Sequence, residues 1–185
     1  MLDTDSSMFL FNCNLQLDCE ALINNIKDTK GKEVLPDKKL WSERNAGYSE
    51  LFSLWEDGNV NLSSAKWSNY YPGKDYDENI NKICEELLNV KIARAWISRV
   101  DPGHCTPWHW DTDDNEQHYL KLGKLKRFVC HIGKPEFGHV FLLGKEAHYF
   151  WDQGDMWEWN NYHAWHAGFN CGVKPKFMLH ILAYE

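Results

Sequence analysis

The chain has 185 residues and a formal net charge of −7 at neutral pH, which suits one domain with a sizeable core and is too short for two domains of ordinary size. The acidic balance argues against non-specific binding to nucleic acid, because the phosphate backbone needs clustered lysine and arginine side chains. No signal peptide, membrane span or CxxC pair is recognisable in the sequence. We therefore expect a cytoplasmic protein with reduced cysteines.

The first ninety residues predict two helices joined by a long irregular stretch. A strand predicted over residues 8–17 precedes a helix over 19–28, for which Asp18 is a suitable N-cap. Residues 32–75 contain several proline and glycine breakers and predict loops. A second amphipathic helix is predicted over residues 77–89, where apolar side chains recur on one side. We expect this half to form a mainly helical support for the rest of the chain.

From residue 90 onward, short β-like runs alternate with turn signals. The turns at residues 101–103 and 153–155 both contain glycine, and each borders a run of strand-forming residues. Many short strands at such a spacing predict a jelly-roll or barrel, so the expected fold class is mainly β with N-terminal helices. The strands are predicted over residues 92–100, 126–132, 138–143, 147–151, 156–159 and 176–184.

One short segment combines a histidine and a carboxylate at a spacing that suits metal binding. His109 and Asp111 are two residues apart, and side chains at that spacing point to the same face of a strand. His166 follows in the distal part of the β-rich half. Two histidines and one carboxylate on one face of an octahedron leave three open positions, which is typical of non-haem Fe(II) oxygenases. The alternative is an ordinary hydrogen-bonded His–Asp pair without a metal.

Further motifs around these three residues resemble those of a known enzyme family. Residues 92–184 are similar to the aspartyl/asparaginyl β-hydroxylase-like branch of the 2-oxoglutarate-dependent oxygenases. The likeness covers about half of the chain and rests on several segments taken together. They are Arg99-Val100-Asp101-Pro102-Gly103 before His109-Trp110-Asp111, the strand Arg127-Phe128-Val129-Cys130-His131-Ile132, the segment Gly154-Asp155-Met156-Trp157, and Asn160-Asn161 ahead of His166-Ala167-Gly168-Phe169-Asn170.

The resemblance implies a double-stranded β-helix, cupin-like in outline, that binds Fe(II) through His109, Asp111 and His166. It further implies that 2-oxoglutarate chelates the iron, that O2 takes the remaining position, and that a basic residue ten positions after the distal histidine holds the far carboxylate. Lys176 is at that position, where the family usually has arginine, and Lys174 is the alternative. Asp111 separates the chain from the vertebrate-type enzymes of this branch, which lack that carboxylate.

His131 and Arg127 contact 2-oxoglutarate if the same resemblance holds. The two residues share strand parity and can both face the interior. The family usually has its arginine at the position that Val129 occupies here, so substrate contact and an outward orientation are two further interpretations for Arg127. His163 also qualifies by type as the distal ligand, but only His166 has the family's spacing to the later motifs. The residues expected around the metal or in the substrate pocket are Trp108, Trp110, Trp157, Asn161, His163 and Asn170.

The implied activity is hydroxylation of an unactivated C–H bond, with conversion of 2-oxoglutarate to succinate and CO2. The substrate is either an aspartyl, asparaginyl or prolyl side chain in a peptide or protein, or a small molecule. We expect residues 1–185 to form one oxygenase domain, with residues 1–90 shaping the substrate entrance and residues 91–185 carrying the metal site. The alternatives are a cupin-like protein that binds metal or a small molecule without oxygenase chemistry, and a purely structural module. The sequence indicates no oligomeric state.

Overall fold

The computed structural model describes residues 9–27, 31–34, 53–58, 64–71, 74–111, 116–159 and 164–185. Within these ranges α1 spans Cys19–Lys27, α2 Lys74–Leu88 and α3 Glu116–Tyr119, and residues 53–57 are also helical. The strands are β1 Phe9–Asn14, β2 Lys32–Val34, β3 Trp67–Tyr70, β4 Lys91–Val100, β5 Cys105–His109, β6 Leu125–His131, β7 His139–Leu143, β8 Glu146–His148, β9 Asp155–Trp159, β10 His166–Asn170 and β11 Lys176–Tyr184.

Two antiparallel sheets face each other across the interior. The larger sheet has the strand order β1-β9-β6-β11-β4-β3-β2, and the smaller sheet has the order β5-β10-β7-β8. Val129 and Met178 of the larger sheet share one apolar cluster with Phe141 and Leu143 of the smaller sheet, and this contact identifies the inward faces of both sheets. The arrangement is a double-stranded β-helix, and it confirms the jelly-roll that the strand pattern predicts.

Helices cover the outer face of the larger sheet. Leu22 and Ile26 of α1 and Ile80 of α2 form one cluster with Phe128 and Ile181 from the sheet. Successive strand residues point to opposite faces, so β6 and β11 bury side chains on both faces, which explains the apolar segments at residues 128–130 and 181–183 within them. Each buried leucine or isoleucine contributes about 1.5–3 kcal/mol to the free energy of unfolding, and this cluster therefore anchors the helices on the sheet.

Most of the predicted elements are confirmed, with shifts at their ends. The Asp18 side chain caps α1 by accepting a hydrogen bond from the Ala21 amide at 2.9 Å, as expected for an aspartate at this position. The strand predicted over residues 147–151 is shorter and one residue earlier, Glu146–His148, and the two aromatic residues after it are exposed. None of the helices that the structure describes is long and apolar enough to cross a membrane.

The loop prediction for residues 32–75 is wrong in part, because β2 and β3 lie within it. Strand β3 pairs with β4 and β2 pairs with β3, so both extend the larger sheet. Strand β1 joins the other edge of the same sheet by pairing with β9. Strand β2 has three residues and β3 has four, which is too few to show a clear alternation of apolar and polar side chains. Their strand conformation depends instead on pairing with neighbouring strands. The first ninety residues therefore supply strands as well as a helical support.

Candidate active site

The neighbouring strands β5 and β10 bring two histidines together. His109 lies directly opposite His166 in the antiparallel register, and the centroids of the two imidazole rings are 4.2 Å apart. The carboxylate oxygens of Asp111 lie 3.7 Å from Nε2 of His109 and 3.4 Å from Nε2 of His166. One potential ligand atom from each residue lies within 4.8 Å of the other two, which is a spacing that a single metal ion can bridge.

Backbone carbonyl groups fix the orientation of both imidazole rings. Nδ1 of His109 donates to the Pro107 carbonyl at 2.5 Å, and Nδ1 of His166 donates to the Ala164 carbonyl at 3.0 Å. A carbonyl oxygen can only accept a hydrogen bond, so the proton is on Nδ1 and the lone pair is on Nε2. Burial and the neighbouring His166 lower the pKa of His109 to about 4. His109 is therefore neutral at neutral pH, as a metal ligand must be.

The carboxylate of Asp111 is paired with a buried arginine. Nη2 of Arg127 donates a hydrogen bond to Oδ2 of Asp111, and Arg127 is only 2% exposed. The guanidinium also lies over the rings of Trp96 and Trp159, at 4.5 and 5.1 Å from their centroids. Burial by itself raises the pKa of the Asp111 carboxyl, but the positive charge of Arg127 holds that pKa well below its usual range. Asp111 is therefore ionised at neutral pH.

A second group of buried polar side chains lies beside Gly168, two residues after His166 on β10. Lys176 is 1% exposed, and its Nζ donates to a backbone carbonyl of β7. Burial lowers the pKa of Lys176 to about 7, and no carboxylate of the described residues pairs with it. Gly168 leaves space beside this ammonium group, because a Cβ there would lie 3.5 Å from Nζ of Lys176 and 2.8 Å from the Thr106 hydroxyl oxygen. The pocket is thus a cradle that a side chain on Gly168 would partly fill.

His131 is close to Lys176 and completes this pocket. It is 1% exposed, and neither of its ring nitrogens makes a well-formed hydrogen bond with the described residues. Burial lowers the pKa of His131 to about 3, and the positive charge of Lys176 adds to the effect. An unpaired buried polar group costs about 1–3 kcal/mol and is rare in folded proteins. A buried ammonium group beside an unpaired imidazole therefore suits an anion that brings its own oxygen acceptors.

The two groups of residues together suit a metal ion with a chelating anion. His109 and His166 offer nitrogen ligands and Asp111 offers oxygen, a mixed set that suits iron and leaves coordination positions open. Lys176 and His131 supply positive charge and a hydrogen-bond donor for a carboxylate in the same barrel. The interior of the barrel therefore contains side chains suited to each of these two roles.

Three tryptophans that the sequence placed near the metal or substrate have different surroundings. Trp108 and Trp110 both pack against Trp165, with ring centroids 6.5 and 4.5 Å apart. Trp108 adjoins His109 on β5, so strand alternation turns its side chain away from the metal ligands. Trp157 instead faces inward and packs against the apolar cluster between the sheets. Only the last of the three therefore lines the barrel. Asn161 and His163 lie outside the described residues.

Asn170 stabilises the turn between β10 and β11. Its Nδ2 donates to the carbonyls of Val100 and Lys174 at 2.8 Å each, and its Oδ1 accepts from a glycine amide in the turn at 3.0 Å. These bonds hold the chain that leads into Lys176, so Asn170 acts on the pocket through the backbone. Lys174 itself is exposed and forms an ion pair with Glu136. Of the two lysines considered as anchors, Lys176 is the one inside the barrel.

Two tryptophans that enclose Arg127 near the candidate ligands were not predicted from the sequence. The Trp159 ring lies 4.6 Å from the His166 ring, and the Trp96 ring stacks on His180 at 5.1 Å. Trp159 is two residues after Trp157 in a predicted strand, so alternation was a sufficient signal that it also faces inward. Trp96 gave a weaker signal, because both faces of β4 carry large side chains.

No protein-family model and no curated protein matches the sequence. The fold does match solved structures. The chain is similar to a viral collagen prolyl hydroxylase from Paramecium bursaria Chlorella virus-1 in complex with 2-oxoglutarate, with a TM-score of 0.55, 14% identity and 99% of each chain covered. A truncated form of that enzyme gives a TM-score of 0.53 and 15% identity over 98% of this chain and 92% of that one.

A third match is a prolyl hydroxylase from Trichoplax adhaerens, solved with a peptide fragment of hypoxia-inducible factor. Its TM-score is 0.47 at 9% identity, over 90% of this chain and 88% of that one. The two viral matches include the N-terminal strands as well as the barrel, since they extend over nearly the whole chain. They show that this chain shares its double-stranded β-helix fold with that viral enzyme.

Proposed function

We propose that the chain is a non-haem Fe(II)- and 2-oxoglutarate-dependent oxygenase that hydroxylates an unactivated C–H bond. His109, Asp111 and His166 hold the iron, and Lys176 with His131 binds the far carboxylate of 2-oxoglutarate. One observation carries the proposal: three convergent ligand side chains share a barrel with a buried lysine that has no carboxylate partner among the described residues. A cupin-like metal site without this cosubstrate has no need of such a lysine.

Bound iron, 2-oxoglutarate and O2 supply the oxidising chemistry of the reaction. The contribution of the chain is binding, orientation and exclusion of water. The Nδ1 hydrogen bonds of His109 and His166 keep both Nε2 atoms directed at the same point. The rings of Trp96 and Trp159 shield the carboxylate side of the site, and Lys176 fixes one end of the cosubstrate. A dry, preorganised interior of this kind protects reactive species from water.

We also propose that the substrate is an amino-acid side chain in a peptide or protein. The viral enzyme with the same fold is a collagen prolyl hydroxylase by name, which favours a prolyl residue. The motifs that resemble the aspartyl/asparaginyl branch favour an acidic or amide side chain. We further propose that residues 1–185 act as one oxygenase domain in the cytoplasm, with residues 1–90 contributing to the substrate entrance.

Anaerobic titration with Fe(II) and 2-oxoglutarate tests the proposed function. The wild-type protein should develop a weak visible metal-to-ligand charge-transfer band that needs both additions. The H166A variant should lack the band, whereas H148A, which removes a partly buried histidine packed on Trp151 and Trp157, should keep it. A folded wild-type protein without the band would contradict the oxygenase assignment and favour a cupin-like or structural role.

We expect the affinity for 2-oxoglutarate to weaken as the pH rises above about 7. Burial lowers the pKa of Lys176 to about 7 in the ligand-free protein, and a carboxylate partner raises that pKa. Between the two pKa values the complex holds a proton that free Lys176 has lost, so the affinity falls by up to about tenfold per pH unit.

Calorimetry at about pH 8, in buffers of different ionisation enthalpy, should therefore detect proton uptake when 2-oxoglutarate binds. At about pH 6 the uptake should be much smaller, because Lys176 is already charged. The K176R variant should show little uptake at either pH, since a guanidinium stays protonated. Binding by the wild-type protein at pH 8 with no proton uptake would contradict the assignment of Lys176 as the anchor.

A further inference from the structure

Arg127 is held between two aromatic rings whose own positions are fixed. Its guanidinium carbon lies 4.5 Å from the centre of the Trp96 ring and 5.1 Å from that of Trp159. Trp96 is stacked on His180 with an angle of 9° between the ring planes, and Trp159 packs against the ligand His166. An arginine enclosed in this way has little freedom to rotate, so the direction of its hydrogen bonds is set before any ligand arrives.

The strand register separates Arg127 from the pocket of Lys176. Arg127 lies opposite Leu182 on β11, whereas His131 lies opposite Met178, next to the start of that strand. The ion pair between Arg127 and Asp111 places Arg127 at the level of the candidate metal ligands. At 2% exposure its charge needs a counter-charge, and the carboxylate of Asp111 supplies it. The ion pair therefore favours Asp111 over 2-oxoglutarate as the group on which Arg127 acts.

We propose, on the basis of the proposed function, that Arg127 is a positioning residue that restricts Asp111 to one metal-binding oxygen. Oδ2 of Asp111 accepts the hydrogen bond from Arg127 and lies 3.4 Å from Nε2 of His166, and Oδ1 faces Nε2 of His109 at 3.7 Å. A carboxylate that binds through both oxygens occupies one more position on the metal. With Oδ2 committed to the guanidinium, three positions stay open for a two-oxygen chelate and O2.

Cobalt(II) serves as the test metal, because its visible spectrum reports the number and arrangement of its ligands. We expect R127Q to bind cobalt within about threefold of wild type, since loss of a nearby positive charge offsets the poorer orientation of Asp111. Its cobalt spectrum should differ from that of wild type, and its affinity for 2-oxoglutarate should fall about tenfold or more. R127K, which can still hold Oδ2, should recover most of that affinity.

Arg94 provides a matched control, because its guanidinium also lies over the Trp96 ring, at 5.2 Å, but it is exposed and donates a hydrogen bond to the Tyr71 hydroxyl at 2.7 Å. R94Q should match wild type in both measurements.

An R127Q protein with the wild-type spectrum and 2-oxoglutarate affinity would overturn the role of Arg127 but leave the proposed function standing. Parallel loss of cobalt and 2-oxoglutarate in both R127Q and R127K, with lower melting temperatures, would also overturn it, because that pattern indicates a purely structural arginine. A wild-type protein that binds neither ligand would overturn the proposed function itself.

Infrared spectroscopy tests the same point on the unaltered protein and does not depend on the variants folding. The difference spectrum between cobalt-loaded and metal-free protein, with the aspartate carboxyl carbon labelled with 13C, isolates the carboxylate stretches. A wide separation between the antisymmetric and symmetric stretches is expected for Asp111 bound through one oxygen. A narrow separation, which indicates binding through both oxygens, would overturn the inference.

Discussion

Replacement of Lys176 by methionine is expected to stabilise the ligand-free protein. The pKa of this buried lysine falls from 10.5 to about 7 on folding, so at neutral pH the charged side chain destabilises the folded state by an amount on the order of 3–5 kcal/mol. Methionine has a similar volume and no charge. Since the folded pKa is the lower one, the gain should be largest below about pH 7 and disappear above about pH 10.5. At neutral pH the melting temperature should rise by several degrees.

The same substitution should reduce the affinity for 2-oxoglutarate by about a hundredfold or more, because loss of one partner of a buried ion pair costs about 3–5 kcal/mol. Thermal unfolding with and without 2-oxoglutarate measures both effects in one experiment. K174M is the control, since Lys174 is exposed and paired with Glu136 on the surface. A K176M protein that is less stable than wild type, or that binds 2-oxoglutarate normally, would remove the basis for treating Lys176 as a site residue.

The second large effect is expected from Asp111→Asn in the metal-free protein. Arg127 is 2% exposed and depends on this carboxylate for its counter-charge. An uncompensated buried guanidinium should lower the free energy of unfolding by about 3–5 kcal/mol, in addition to abolishing metal binding. The double variant D111N/R127M removes both charges and should recover much of the lost stability without recovering metal binding. Urea denaturation in the presence of a metal chelator measures the free energy of unfolding of each variant.

Asp101 and Arg99 form the matched surface pair, with Nε and Oδ1 at 2.7 Å and both side chains partly exposed. D101N should lower the free energy of unfolding by no more than about 1 kcal/mol. If D111N were as mild as D101N, Arg127 would have another counter-charge or a path to solvent. If D111N/R127M were no more stable than D111N, the lost free energy of unfolding would come from repacking around Trp96 and Trp159 and not from the unpaired charge of Arg127.

Local sequence patterns were sufficient for the parts of the fold that depend on alternation. The apolar run over residues 176–184 predicts the final strand β11, and the two-residue spacing of His109 and Asp111 places both on one side of the chain. The relative direction of these two side chains was predictable because it depends on residues close together in the sequence, where side-chain direction follows from backbone geometry. The assignment of His166 as the distal ligand rests on the motif spacing of the family and stays a prediction, although the structure places His166 opposite His109.

The partnership of Arg127 with Asp111 was not predictable in the same way. Parity indicates that Arg127 and His131 face the interior, but their level along the barrel depends on the register between β6 and β11. That register is set by contacts between strands distant in sequence. The strands β2 and β3 were missed for a related reason, because they are ordered by the edge of β4 and carry little strand signal of their own.

The position of β11 has a consequence for how the protein is made. It is the last strand in chain order among those described, yet it lies in the middle of the larger sheet and pairs with β6 and β4 on its two sides. Until residues 176–184 leave the ribosome, those two strands present unpaired edges, and the sheet exists only as separate halves. Such edges can pair with other chains. Synthesis of this protein should therefore depend on chaperones that hold the nascent chain open, and a ribosome stalled before β11 should yield aggregates and not a partly active enzyme.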